Sequence, residues 1–470
     1  MIKRDSSTTN VQTTIGVLSD GEVLRVEIIQ GRRTLRSILL PFAEDGPNSI
    51  LETLWQAGLT EVWMMPATRL SKQVTRAWLE QANVAWTVIV RTGADESARP
   101  VNALLWPKGN RREERRLSLV FPEHAGWNWD LSDATSLLAA VTYIQQALNH
   151  AIVDTPELIA HQLLTEFTSN QPMAALRSST QEQRELLNNG GVPLVEQTGA
   201  TSWMRPLTLV EQRQRYLHKY THFSLALEAC MGAQLGVGAP RHSPNGRAFD
   251  AVHPGIWRIT SERVGSVFDG KRLPSALDRA WMSTPQVVCC RDIGYQIVVE
   301  EGYSWPQSHD LLTRWATTLW QVAENLTRQT RIYRHVQARN NALQTIRRLV
   351  QIGIATLAQD EMMGGWSRPD WAAQIMGRRQ AVLFTQLVRL VRRGTMPALI
   401  DGDAFWVVAN DPNSQTAVPG LLTTPRWRGY SVGYETPLPL TREVNTIFRT
   451  AESASQAATT LDALAGEVFP

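Results

Sequence analysis

The stretch Pro397-Ala-Leu-Ile-Asp-Gly-Asp-Ala-Phe-Trp-Val-Val408 decides the interpretation of this chain. Apolar residues on both sides of Asp401-Gly402-Asp403 predict two buried strands joined by a tight turn, because Asp-Gly is a strong hairpin signal. Such a hairpin places one carboxylate at its tip and another beside it. Hard carboxylate oxygens suit Mg²⁺ or Mn²⁺, so Asp401 and Asp403 are candidate catalytic and metal-binding residues. An ordinary Asp-Gly turn explains the same residues without a metal.

Two segments before this hairpin are rich in arginine and contain no acidic residue. Asn325–Gln359 has six arginines and Trp371–Ile400 has five, and neither segment has a lysine. The planar guanidinium group suits phosphate oxygens, so the clustering favours a polyanion, although a solvated helix face gives the same pattern. The candidate phosphate-binding residues are Arg331, Arg334, Arg347, Arg348, Arg378 and Arg379.

Length and composition predict a folded protein of several domains, since the chain has 470 residues, of which 43% are hydrophobic and 19% charged. No apolar stretch approaches the roughly 20 residues of a membrane-spanning helix, and the polar N-terminus lacks a signal-peptide core. The cysteines Cys230, Cys289 and Cys290 are too few for a disulfide framework or a zinc cage. We therefore expect a cytoplasmic protein that does not bind a membrane.

The order of predicted elements divides the chain into two domains. Residues 1–12 are predicted to be a disordered leader. Residues 13–175 give the order β-β-β-α-β-α-β, which resembles a ribonuclease-H-like mixed sheet and predicts an α/β domain. Within it, the Arg-, Asn- and Pro-rich stretch Thr92–Arg116 is predicted to be a loop. Residues 176–205 are predicted to be a linker, because they are polar and contain Asn-Asn-Gly-Gly. Residues 206–470 are predicted to form an α+β domain.

Several segments of the second domain have clear patterns. A strand that includes Tyr220 runs directly into a helix, and a strand lies around Gly255–Ile259. The apolar stretches Val287–Cys290 and Tyr295–Glu300 are predicted to be two further strands. Long helical patterns follow, of which the last covers Pro369–Val391 and ends shortly before the hairpin.

From Tyr216 to Glu435 the chain resembles the palm and fingers of family B DNA polymerases, including the protein-primed, phage and plasmid types. Tyr220-Thr-His-Phe-Ser-Leu-Ala226 is similar to the first palm motif, and Ile400–Trp406 is similar to the third, the Asp-Thr-Asp hairpin. Arg347 and Arg348 stand where the family has the fingers helix that holds the incoming triphosphate. The resemblance implies an antiparallel palm, fingers at about residues 284–366 with a strand pair and helices, and a reduced thumb. It also implies that the N-terminal domain is exonuclease-like.

The departures from the family are as informative as the matches. Thr221 stands where the first motif has a metal-binding Asp, and with Tyr220 and Ser224 it forms a degenerate version of that motif. A two-metal site without this carboxylate should lose most phosphoryl-transfer activity. The strand Thr13–Ser19 has no central carboxylate, so the exonuclease-like domain is predicted to be inactive.

Three functions remain open at this point. The first is a polymerase-derived protein of a replication, mobile-element or defence system that has weak or no catalysis. It would bind DNA (a primer-template, an overhang or a single strand) or an RNA–DNA hybrid in a groove lined by arginine. Further proteins of a nucleoprotein complex are its possible partners. The second is an active polymerase or nuclease in which Glu228 or Asp250 replaces the missing ligand. The third is an α/β interaction protein without a nucleic-acid role.

Overall fold

The computed structural model divides the chain into two compact units. The first contains Met1–Gln162 and Gln321–Ile352, and the second contains Leu163–Trp320 and Gly353–Pro470. The residues that the structure describes are 15–19, 23–30, 33–41, 46–65, 76–83, 85–92, 100–109, 116–123, 125–127, 129, 134–148, 150–168, 202–262, 281–328, 336–358, 368–422, 429–434 and 436–468. The predicted leader and most of the predicted linker lie outside these residues, so the predicted domain boundaries stay predictions.

The first unit contains a seven-stranded mixed sheet with the spatial order β3-β2-β1-β4-β7-β6-β5. Its strands are β1 (Ile15–Ser19), β2 (Val23–Gln30), β3 (Arg33–Pro41), β4 (Glu61–Met64), β5 (Trp86–Thr92), β6 (Pro100–Pro107) and β7 (Leu117–Val120). β4 is parallel to both β1 and β7, and the other neighbours are antiparallel. A mixed sheet is present as predicted, and its ribonuclease-H-like identity stays a prediction.

The prediction of a loop over Thr92–Arg116 was wrong in its centre. β6 lies between β5 and β7 and pairs antiparallel with both. Its apolar run Ala103-Leu-Leu-Trp106 is almost entirely buried. The two prolines of the strand stand at its ends, where a missing N–H costs little pairing, so they did not prevent strand formation.

The described residues of this part of the chain form four helices. They are α1 (Gly46–Gln56), α2 (Arg76–Ala82), α3 (Ala134–Leu148) and α4 (Pro156–Thr168). A single apolar cluster joins Leu51 and Leu54 of α1 and Leu79 of α2 to the central strands, including Val62 and Leu119. The alternation of apolar residues therefore predicted most of these elements correctly.

The second unit is built on an antiparallel sheet with the order β18-β9-β17-β16-β8, in which β19 also pairs with β9. Its strands are β8 (Ser202–Met204), β9 (Tyr216–His222), β16 (Leu399–Asp401), β17 (Ala404–Ala409), β18 (Tyr430–Val432) and β19 (Leu438–Pro439). We call this the palm sheet after the palm motifs that the sequence resembles, and its identity as a polymerase palm stays a prediction. β8 falls within the predicted linker, because its pairing with β16 is a long-range contact that the local sequence does not indicate.

Two smaller sheets belong to the same unit. Their strands are β10 (Leu235–Val237), β11 (Arg241–Ser243), β12 (Gly255–Glu262), β13 (Trp281–Ser283), β14 (Gln296–Ser304) and β15 (Gln307–His309). One sheet has the order β11-β14-β12-β13, and the other is the pair β10-β15. β14 confirms the strand that was predicted at Tyr295–Glu300.

The predicted strand Val287–Cys290 is instead part of a helix. In the described residues of this part of the chain, the helices are α5 (Leu225–Met231), α6 (Thr284–Asp292), α7 (Thr313–Arg328), α8 (Val336–Ala358), α9 (Pro369–Arg392), α10 (Arg442–Thr450) and α11 (Ala454–Val468). α6 begins with a capping box, in which Ser283 and Gln286 hold the first turn, and Pro285 stands in that turn. These start signals outweigh the strand preference of the two valines.

The two faces of the palm sheet have separate cores. On one face Ile400 and Phe405 pack with Phe384 and Leu387 of α9. On the other face Leu399 and Trp406 belong to a cluster with α10 and α11. Neighbouring residues of the hairpin therefore point to different helices, as the two-residue period of a strand requires. Among the described residues, no helix has the length and apolar character needed to cross a membrane.

Candidate functional site

The Asp-Gly-Asp hairpin lies directly beside the strand that carries Tyr220. β9 and β17 pair antiparallel, with Thr221 opposite Ala404 and Tyr220 opposite Phe405. The backbone N–H of His222 donates to the carbonyl of Asp403 at 2.8 Å. Gly402 makes the turn with φ +58°, in the left-handed region that glycine adopts without strain. The hairpin and the strand of Tyr220 are therefore neighbours in one antiparallel sheet.

The carboxylate of Asp403 is held by an arginine. Nε and Nη2 of Arg379 both donate to its Oδ1, at 2.8 and 2.6 Å, and the backbone N–H of Leu225 donates to Oδ2 at 3.3 Å. Both side chains are largely buried, with 13% of Arg379 and 22% of Asp403 exposed. A close, two-pronged guanidinium contact neutralises a carboxylate and satisfies its acceptor positions. Asp403 thus forms an ion pair with Arg379 of the same chain.

Asp401 lies on the opposite face of the sheet. Its Oδ1 accepts a hydrogen bond of 2.6 Å from Ser455 Oγ, which belongs to α11. Asp403, in contrast, contacts α9 and the start of α5. Asp401 and Asp403 are only two positions apart in the sequence, but their carboxylates therefore do not point to the same place. A shared metal ion between them requires a different arrangement of the turn.

No other carboxylate completes a metal site in the described part of the chain. Thr221 supplies no anionic oxygen, and Asp250 lies in an exposed turn where Val252 N–H donates to it. Glu228 lies on α5, with its Oε2 3.3 Å from Nε2 of His222. No group of three His, Cys, Asp or Glu residues is placed to hold a metal in the ranges that the structure describes. The residues present do not fit a two-metal centre for phosphoryl transfer, and we derive no catalytic step from them.

A buried polar network supports the turn from β9 into α5. Ser224 caps the helix by accepting from Leu227 N–H at 3.2 Å, and its own N–H donates to His222 Nδ1 at 3.1 Å. Tyr430 donates to Gln386 Oε1 at 2.7 Å. Burial raises the pKa of Tyr430 well above its ordinary value, and the negative charges of Asp403 and Glu228 add to this effect. The motif residue Ser224 has a structural role as a helix cap.

The predicted phosphate-binding arginines are divided between the two units. Arg347 and Arg348 lie on α8 in the first unit, where Arg348 Nη2 is 4.0 Å from Glu157 Oε1. Arg378 and Arg379 lie on α9 in the second unit. Arg331 and Arg334 lie outside the described residues. A groove lined by arginines from both stretches therefore stays a prediction.

Sequence reasoning missed the partner of Asp403. Arg379 was singled out for phosphate, whereas its guanidinium group is directed at the hairpin. No local signal marks this contact, because the two residues are 24 positions apart and belong to different elements. The absence of acids from Trp371 to Ile400 was a sign of a distant counter-charge as much as of a nucleic-acid ligand.

Among the side chains of the predicted exonuclease-like sheet whose burial is described, one carboxylate is buried, that of Glu61 on β4. Its Oε1 accepts from Trp63 Nε1 and, at 2.8 Å, from Gln145 Nε2. Burial raises the pKa of Glu61 to about 7, against the lowering effect of these two hydrogen bonds. β1, the neighbouring strand, contributes no carboxylate between Ile15 and Ser19. Asp20 and Glu22 lie outside the described residues.

The similar known structures are phi29 and family B DNA polymerases. Phi29 DNA polymerase complexed with primer-template DNA has a TM-score of 0.45 and 9% identity, over 86% of this chain and 81% of that chain. Phi29 DNA polymerase complexed with single-stranded DNA has a TM-score of 0.42 and 8% identity, over 85% and 80%.

The family B DNA polymerase from the hyperthermophilic archaeon Pyrobaculum calidifontis has a TM-score of 0.41 and 9% identity, over 97% of this chain and 65% of that chain. No family model and no curated protein matches the sequence. At TM-scores below 0.5 we draw no functional argument from the structural similarity.

Proposed function

We propose that this chain is a DNA-binding protein derived from a family B DNA polymerase, and that its palm sheet no longer supports metal-dependent nucleotidyl transfer. The observation that carries the proposal is the contact of Arg379 with Asp403, which places a guanidinium group on the carboxylate that a metal ion would need. Thr221 on the neighbouring strand offers no second carboxylate. The first unit would correspondingly be an inactive ribonuclease-H-like domain.

The end of α9 provides the exposed positive charge for such binding. Arg389, Arg392 and Arg393 are exposed there, and in the described part of the chain no carboxylate lies within 4.0 Å of any of them. Unpaired arginines bind phosphate oxygens without reading sequence, so we expect binding that depends strongly on salt and weakly on base composition. The palm-like motifs in the sequence favour DNA over other polyanions as the ligand.

A mobility-shift titration with tailed duplex DNA tests the binding. The double variant Arg392→Glu/Arg393→Glu should bind roughly tenfold more weakly and with a shallower dependence on salt concentration, because two phosphate contacts are lost. Arg449→Glu on α10 is the matched control, since Arg449 is also exposed and lies on a separate helix. An unchanged affinity and slope in the double variant would remove α9 from the interface. Binding to neither DNA nor RNA would favour an interaction protein without a nucleic-acid role.

Primer extension with Mg²⁺ or Mn²⁺ tests the loss of catalysis. We expect no extension by the natural chain. Robust extension that is abolished by Asp403→Ala would show that the hairpin is catalytic and that the Arg379 contact opens during the reaction.

The second candidate function, an active polymerase or nuclease with a substitute ligand, is favoured by one observation. Asp403 and Glu228 both act on the pKa of Tyr430, so both carboxylates lie near the same phenol. Glu228→Gln distinguishes the two candidates, because it should abolish any extension only if Glu228 replaces the missing ligand. The context of replication, a mobile element or defence, and any protein partners, stay predictions.

A further inference from the structure

A cavity of about 450 Å³ lies in the second unit between α5, α6 and α9. Arg378 lines it, whereas Arg379, Asp401, Asp403 and Thr221 do not. The cavity is therefore separate from the hairpin and needs its own explanation. Its volume is within the range of sites that hold small organic ligands.

A charged pair lies in the wall of this cavity. Arg378 and Glu228 are both half-buried, and the guanidinium group packs against Gly232. Burial lowers the pKa of Arg378, and the nearby Glu228 carboxylate opposes that shift. Within the described part of the chain, the buried atoms Glu228 Oε2 and Arg378 Nε have no hydrogen-bond partner, and Glu228 Oε2 lies 3.3 Å from His222 Nε2. Buried donor and acceptor atoms normally have partners, so a ligand is expected to supply an acceptor beside a donor.

The remaining walls suit a flat apolar body. Val288 of α6 and Ala381 and Val382 of α9 line the cavity, and Val252 at its edge is 76% exposed. A nucleobase combines flat apolar faces with an edge on which acceptors and donors alternate. Guanidinium and carboxylate groups are the side chains that read such edges.

A second arginine lines the cavity further along α9. Arg389 is exposed and follows Arg378 by eleven residues, or roughly 16 Å along the helix axis. In the described ranges it has no carboxylate within 4.0 Å, so its donors are open to a phosphate group. Asp292 also lines the cavity, and its carboxylate suits a sugar hydroxyl rather than a phosphate.

We propose that this cavity binds a nucleoside 5′-phosphate, with the base edge at Arg378 and Glu228 and the phosphate at Arg389. The site shares Arg389 with the proposed DNA-binding end of α9, but Arg392 and Arg393 do not line it. Arg392→Glu/Arg393→Glu therefore tells the two functions apart, because it should weaken DNA binding and leave nucleotide binding unchanged. The proposed site assigns a role to the half-buried charged pair, which packing alone does not explain.

Isothermal titration of the full chain with the individual nucleoside 5′-monophosphates, the corresponding nucleosides and inorganic phosphate tests the site. We expect at least one monophosphate to bind, and inorganic phosphate to bind at least tenfold more weakly. Arg378→Gln should weaken nucleotide binding tenfold or more. Arg389→Gln should weaken the monophosphate but leave the nucleoside unchanged. Arg449→Gln, exposed on α10, should change neither.

Three results would overturn the proposal. One is the absence of binding by every monophosphate at millimolar concentration, and another is equal affinity for inorganic phosphate. The third is binding that survives both Arg389→Gln and Val382→Trp, which fills the cavity without removing a charge. Val382→Trp also decides the matter if Arg378→Gln does not fold.

Discussion

Glu61 in the first unit and Asp403 in the second each lie next to a central strand of a sheet, and the two carboxylates are neutralised in different ways. Glu61 is 3% exposed and, among the described residues, receives hydrogen bonds only from the neutral donors Trp63 and Gln145. Asp403 in the second unit receives two hydrogen bonds from the charged Arg379. Because these donors carry no charge, burial has the larger effect on the pKa of Glu61 and raises it to about 7. The comparison shows that an acidic residue beside a β-strand is not by itself a metal ligand.

The consequence for function is the same in both units. A divalent ion needs carboxylates that are ionised and free to coordinate. Glu61 is held as an acid by its surroundings, and Asp403 is already paired with Arg379. The described parts of both sheets therefore lack the free anionic cluster that metal-dependent cleavage or synthesis requires.

The largest expected effect concerns Glu61. Because its folded pKa of about 7 lies above the ordinary value of 4.5, the folded state holds the proton more tightly than the unfolded state does. The free energy of unfolding should therefore fall as the pH rises from 4.5 to 7, by about 3 kcal/mol, and level off above that. Glu61→Gln should lack this loss. Urea unfolding across this range, with hydrogen exchange of the first unit's strands, measures it.

Glu52→Gln is the matched control for that experiment. Glu52 is an exposed carboxylate on α1 of the same unit, so its replacement should leave the pH dependence of the natural chain unchanged. Equal pH slopes in the natural chain and in Glu61→Gln would show that Glu61 is ionised in the folded protein, and the contrast with Asp403 would disappear.

The next largest effect concerns Arg379. Arg379→Ala leaves the largely buried Asp403 without its counter-charge, which should lower the free energy of unfolding by about 2 kcal/mol at neutral pH. Arg379→Ala/Asp403→Ala should recover part of this loss, since the unpaired charge is then removed as well. A double-mutant cycle by urea unfolding measures the coupling. Additive single effects would mean that the pair does not neutralise Asp403.

A third experiment tries to convert the paired carboxylate into a metal ligand. Arg379→Gln removes the guanidinium group from Asp403, whereas Thr221→Asp adds a carboxylate on the opposite face, because Thr221 pairs with Ala404 of the cluster formed with α10 and α11. We expect Arg379→Gln to gain about tenfold in Mn²⁺ affinity over the natural chain, or about 1.4 kcal/mol, measured by titration calorimetry. Thr221→Asp should add nothing to that gain, because its carboxylate faces away from Asp403. Tight Mn²⁺ binding by the natural chain would contradict the neutralised state of the hairpin.

Local patterns predicted most strands and the long helices, because the spacing of apolar residues can be read from neighbouring positions in the sequence. The hairpin at Asp401–Asp403 also followed from sequence, since apolar runs flank its Asp-Gly turn. Local patterns failed at β6, where Arg, Asn and Pro residues around a short apolar run suggested a loop. They failed at α6 too, where capping residues outweighed two valines. The contact of Arg379 with Asp403 could not be predicted from sequence, because an ion pair between two separate elements leaves no local pattern.

The smallest expected effect separates the two faces of the palm hairpin. Asp401 contacts only Ser455 among the hydrogen-bond partners in the described residues, and this contact is exposed. A double-mutant cycle with Asp401→Ala and Ser455→Ala should therefore give a coupling of about 0.5 kcal/mol, well below that of Arg379 with Asp403, because water replaces an exposed hydrogen bond. The cycle cancels the helix preference of alanine in α11, which a single substitution would not. A coupling as large as that of the buried pair would mean that both carboxylates are held with similar strength, and the asymmetry between the two faces would have no energetic basis.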